Sequence, residues 1–130
     1  MEEYQILKKK LDVPDNLMSI LTRLVLNEES RVLVLATEKF LTASTVAGEF
    51  GEKNLERISS ILKTLYQKGF LYRKTIDDEE AYRCKSFFDI IRSHLEEHRY
   101  DALGIENIHM LRQYYISTRI RKTKKTINNG

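Results

Sequence analysis

Apolar residues recur every three or four positions through most of this chain. Tyr4, Leu7 and Leu11 share one stripe with Ile6 beside it, which predicts a first helix. Asp12 and Pro14 break the stripe, because proline lacks an N–H and restricts the residue before it. Asp15 or Asn16 can start a second helix, in which Leu17, Ile20, Leu21, Leu24 and Val25 repeat at helical spacing. Asn27 is the expected cap of a third, with Glu28 and Glu29 in its electropositive first turn. The second half of that helix is apolar nearly all round, which predicts a central position.

From residue 39 the period changes. Phe40 and Leu41 predict a very short strand, and Thr42 is a good N-cap for "ASTVAGEF". Gly51 ends that helix at low steric cost. "EKN" makes the turn, a longer helix runs over 55–68, and Gly69 stops it. "FLYRK" and "AYRCK" alternate like strands, with "TIDDEE" as the tip between them. "SFFDIIRSHLEEHRY" is again helical, with Phe87, Ile90, Ile91, His94 and Leu95 on one face. "DALG" interrupts it, and a last helix is expected over 105–120. "RKTKKTINNG" has no apolar periodicity. There is no internal repeat and no glycine-rich phosphate loop.

This order predicts a mainly α fold with a small β-hairpin: a winged helix-turn-helix with additional N- and C-terminal helices. One domain spans 1–118, with the helix-turn-helix at 42–68, the wing at 70–85 and C-terminal helices at 86–118. A basic flexible tail follows at 119–130. The segments "TASTVAGEFG", "ISSILKTLYQKGFLYRK" and "AYRC" resemble winged helix-turn-helix transcriptional regulators of the MarR and TrmB kind. The likeness covers about residues 30–85 and implies a DNA-binding function. The step from Ala47 to Ile58 is one residue longer than those families commonly show. "LDVPDNLMSILTRLVLNEE", the winged core and "YRCKSFFDIIRSHL" also resemble the N-terminal winged-helix domain of some iron–sulfur, ferredoxin-like proteins. The cluster cysteines of that family are missing, so no cofactor is expected. This second resemblance implies a non-enzymatic interaction module, the winged part of a redox protein.

Charge changes the picture. The formal net charge is +3, but Arg119, Arg121, Lys122, Lys124 and Lys125 fall in the last twelve residues, leaving residues 1–118 at −2. The body therefore lacks the basic footprint usual in DNA-binding domains. A 42% hydrophobic and 32% charged composition fits a soluble globular chain. The longest apolar run, at 32–36, is too short for a bilayer, and the N-terminus opens on acids without an apolar leader. A lone cysteine excludes an intrachain disulfide. A cytoplasmic protein without membrane contact is expected.

On the helix over 55–68 the outermost positions are Glu56, Ser60, Lys63 and Gln67, flanked by Arg57, Ser59 and Thr64. Lys, Arg, Gln and Ser are base- and phosphate-reading types. The expected double-stranded DNA contacts are Thr42, Ser44, Arg57, Ser59, Ser60, Lys63, Thr64 and Gln67, joined by Arg73 and Lys74 at the hairpin. Against them stand Asp77, Asp78, Glu79 and Glu80, which phosphate would repel. Either these acids only solubilise a turn, or the wing swings clear of the duplex, or they meet a basic protein partner.

Enzymatic chemistry is not expected. "HLEEH" places His94 and His98 one helical turn apart, a zinc-like spacing. His94, however, falls on an apolar face and reads as a core histidine, so no metal site is predicted. Cys84 has Arg83 and Lys85 beside it, cations that can activate a thiol as in winged regulators that sense oxidants, but it shares a strand face with Tyr82 and reads rather as a small buried hydrophobe. Tyr100, Tyr114 and Tyr115 near the basic tail read as packing residues rather than base-stacking ones. Ile108, Leu111, Tyr115 and Ile116 form a stripe that needs a partner, so a homodimer through terminal helices is expected.

Overall fold

The computed structural model describes residues 2–97 and 105–129, and the side chains of these except 105, 106 and 122–129. Among the described residues there are seven α-helices and three strands. They run as α1 (Glu2–Leu11), a single 3₁₀ turn (Asp15–Leu17), α2 (Met18–Leu24), α3 (Asn27–Leu35), β1 (Leu41–Thr42), α4 (Ala43–Phe50), α5 (Leu55–Gln67), β2 (Leu71–Ile76), β3 (Glu79–Cys84), α6 (Phe87–Glu96) and α7 (Ile105–Asn129). The strands form one antiparallel sheet in the order β1-β3-β2. The chain is thus mainly α with a small sheet, and its elements follow the winged helix-turn-helix order that the sequence predicts.

The N-terminal helix is anchored by its buried face. Leu7 is fully buried, and the Tyr4 hydroxyl donates to the Val25 carbonyl at 2.6 Å, tying α1 to the end of α2. Helix α3 is central, as its all-round apolar second half requires: Val32, Leu33 and Ala36 are buried. Its start differs from expectation. Asn27 is the first helical residue rather than the cap, and the Leu26 N–H donates to the Glu29 carboxylate at 2.9 Å. A carboxylate reaching back from the third helical position thus satisfies the N–H of the cap residue, one half of a capping box.

The helix-turn-helix is built from local signals. The Thr42 hydroxyl accepts from the Thr45 N–H at 3.3 Å, and Gly51 takes the left-handed conformation (φ 63°) that closes α4. Asn54 caps α5 by accepting from the Arg57 N–H at 3.1 Å. Gly69 has φ 86°, a conformation that favours glycine, and a Cβ there would press on the Ser93 hydroxyl at 3.0 Å. Ile58, Leu62 and Leu65 turn inward onto a core that includes Phe70, Leu71, Ile90 and Ile91.

Three boundaries depart from those the sequence predicts. β1 begins at Leu41 rather than Phe40, with Leu41 opposite Tyr82 and Thr42 opposite Ala81. Only Asp77 and Asp78 form the hairpin tip; Glu79 and Glu80 already lie in β3, opposite Ile76 and Thr75. Both aspartates have positive φ (50° and 65°), the conformation of a two-residue turn whose twist matches the strands. The last helix does not stop near residue 120: it continues to Asn129 and takes in most of the basic segment. No proline or glycine interrupts 105–129, and lysine and arginine are good helix formers.

Part of the α7 stripe is used within the chain. Ile108 and Leu111 are buried, Tyr114 packs on Phe87 at 5.1 Å between ring centres, and Tyr115 stacks on Phe88 at 5.2 Å. Ile116 and Ile120 stay exposed. Among the described residues no helix is long and apolar enough to cross a membrane.

Candidate nucleic-acid interface

Helix α5 presents three different outer surfaces. One flank faces the hairpin across an open groove of about 510 Å³. Thr42, Ser44, Ser59, Lys63, Gln67 and Arg73 line it, so the fold brings six of the ten expected contact residues together. Leu55, Tyr66, Glu79, Glu80 and Tyr82 share the same lining. Ser44 and Lys63 are exposed, whereas Thr42 and Ser59 are half-buried.

The opposite flank is pinned to the body. Arg57 pairs with Glu28 and, at 3.3 Å, with Glu52. Its guanidinium is therefore held against α3 and the turn, outside the groove. Just past the end of α5, the Lys68 ammonium lies 2.8 and 3.1 Å from the two Glu29 oxygens and 3.2 Å from the Leu24 carbonyl. The Glu29 side chain is only 5% exposed and that of Lys68 34%, so this pair is largely shielded from water. It fixes the C-terminal end of α5 to the α2–α3 junction.

The third surface faces solvent. Ser60, Lys63, Thr64 and Gln67 are all exposed. Among the described residues, none of their side chains makes a hydrogen bond or ion pair. Glu56 is exposed in the first turn of the same helix.

The hairpin is internally compensated. Arg73 lies over the Tyr66 ring at 4.2 Å and pairs with Glu80 at 3.5 Å. The Tyr82 hydroxyl donates to Glu80 at 3.0 Å, and the Ser44 hydroxyl to Glu79 at 3.5 Å. Burial raises the Tyr82 hydroxyl pKa, and the Glu80 contact adds to it. Lys74 is not in the groove; its ammonium sits over the Phe40 ring at 4.2 Å. On β2, Tyr72 donates to Asp89, and burial, with that contact, pushes its hydroxyl to about 12.

The residues set aside in the sequence fall where packing puts them. His94 is buried, its Nδ1 is 2.9 Å from the Ile90 carbonyl, and its ring meets Phe70 edge-on at 5.5 Å. His98 and Tyr100 lie outside the described residues, and among the described residues no cluster of metal-ligating side chains forms. Cys84 is buried, and burial pushes its thiol to about 12.

Sequence reasoning missed the tyrosine and glutamate lining of the groove and the Glu29–Lys68 pair. The alternation of β3 already placed Tyr82 inward, and Tyr66 follows Lys63 by three residues on one helix flank. No local signal joins Glu29 to Lys68, which are 39 positions apart. No family model matches the chain, and no curated protein matches it.

Proposed function

We propose that the chain is a winged helix-turn-helix regulator of transcription that binds double-stranded DNA in the cytoplasm, with α5 in the major groove. The observation that carries this reading is the exposed row Ser60, Lys63, Thr64 and Gln67, whose side chains are uncommitted among the described residues. These types donate to base edges and phosphates, and the hydroxyls and the amide oxygen also accept from base edges. Holding α5 by Arg57 and Lys68 leaves that row free to meet a ligand without reorganising the helix.

The acidic hairpin fits this reading once its geometry is considered. Asp77 and Asp78 suit a turn that demands positive φ, which short polar side chains tolerate better than most. Glu80 is met by Arg73 and Tyr82. The tip remains net negative, so it would lie beside the duplex rather than against phosphate. Ile116 and Ile120, one turn apart and exposed on α7, are the surface through which two copies would pair.

Amide-shift mapping with a mixed-sequence duplex tests the proposal. Saturable shifts centred on residues 59–67 are expected. Shifts confined to 76–80, or their appearance only with a basic peptide, would favour the interaction-module alternative.

A further inference from the structure

A second groove opens where the turn after α1 meets α6 and α7. Its volume is about 620 Å³, within the usual range of small-molecule sites. Phe87, Phe88 and Tyr114 form apolar walls. Asp12 and Arg121 both line it, yet among the described residues no ion pair joins them. Arg121 donates one N–H to the Thr118 hydroxyl at 3.2 Å, which orients its guanidinium and leaves the rest of the fork open. Asp12 is exposed and held in the left-handed region (φ 54°), where the end of α1 turns back. Burial raises the pKa of the Tyr114 hydroxyl; Arg121 opposes the rise and Asp12 adds to it, so both charges act on the same wall.

Two opposite charges that line one groove without touching each other leave room for a ligand carrying both. We propose that this groove binds a free α-amino acid with an apolar side chain. The Arg121 fork takes the carboxylate, the geometry for which a guanidinium is suited. Asp12 takes the ammonium, and the aromatic rings take the side chain. A monocarboxylate would satisfy Arg121 but leave Asp12 facing an apolar group; an amine would do the reverse. The site is separate from the α5 surface and does not depend on whether DNA is bound there.

The test uses the unaltered chain and three probes: L-phenylalanine, 3-phenylpropionate, which lacks the ammonium, and L-phenylalaninamide, which lacks the carboxylate. Binding is followed by amide shifts of residues 86–88 and 114–118. The expected result is saturable binding of L-phenylalanine, with each truncated analogue weaker by about tenfold or more, the loss of one charged hydrogen-bonding group. Arg121→Gln should remove the preference for L-phenylalanine over its amide, and Asp12→Asn the preference over 3-phenylpropionate. No saturable shift up to the solubility limit overturns the proposal. So does equal binding of 3-phenylpropionate, which would make the site one for simple carboxylates. The three probes need no mutation, so they decide the matter even where a variant fails to fold.

Discussion

Replacing Lys68 by methionine removes the ammonium that holds the end of α5 while keeping most of the apolar stem. Glu29 would then stay buried with the Leu26 N–H at 2.9 Å as a hydrogen-bond donor, and the Leu24 carbonyl would lose the Lys68 ammonium. Removing one partner of a fully buried pair costs about 3–5 kcal/mol. Here the lysine side chain is 34% exposed, so water screens part of the pair and the expected loss falls to about 2 kcal/mol. That is a large share of the roughly 5–15 kcal/mol that holds a domain of this size together. Glu29→Gln keeps an acceptor for Leu26 and frees Lys68 to reach solvent, so it should cost about 1 kcal/mol. The double variant should lose less than the sum, with a coupling of about 1 kcal/mol. Urea unfolding followed by circular dichroism measures all three. A Lys68→Met change within about 0.5 kcal/mol of the parent, or strictly additive single changes, would refute the view that this pair positions α5.

The hairpin turn should be improvable: Asp77→Asn with Asp78→Gly supplies the preferred residues for two positive-φ positions and should raise stability by about 1 kcal/mol in the same unfolding assay. A loss would mean that the carboxylates themselves hold the turn. Burial pushes the Cys84 thiol from 9.0 up to about 12, so the unfolded chain releases that proton first and this contribution to stability falls as pH rises from 9.0 towards 12. At pH near neutral the thiol should resist iodoacetamide until urea is added; rapid native labelling would contradict its burial. Ending the chain after Arg121 removes Lys122, Lys124 and Lys125, and the slope of log affinity for DNA against log salt should shrink by up to about 3. An unchanged slope would show that these charges do not meet the polyanion.

What the sequence disclosed, and what it hid, follows the range of the interactions. The Thr42 cap, the Gly51 stop and the inward stripe Ile58, Leu62 and Leu65 are written within a few residues of where they act, and each appears as expected. Asp77–Asp78 lacks the glycine that usually announces a two-residue turn, so the tip read as longer than it is. The end of α7 was hidden because a helix without an apolar stripe gives no periodic signal, although nothing in 121–129 breaks it. Arg57 looked like a free cation on the outer side of α5 until Glu28, 29 positions away, came into contact. The ring contacts of Tyr114 and Tyr115 were hidden because their partners, Phe87 and Phe88, lie on a different helix.

The central claim is that α5 reads duplex DNA through its uncommitted outer row. Fluorescence anisotropy with genomic and random duplexes, titrated over salt, measures it for the unaltered chain and for Lys63→Glu. Lys63 is exposed and no ion pair holds it among the described residues, so the change should leave the fold intact. Salt-dependent binding is expected of the unaltered chain, weakened about tenfold by Lys63→Glu and shallower in its salt slope by about one phosphate contact. No binding at low salt, or equal affinity for the two proteins, would contradict the claim.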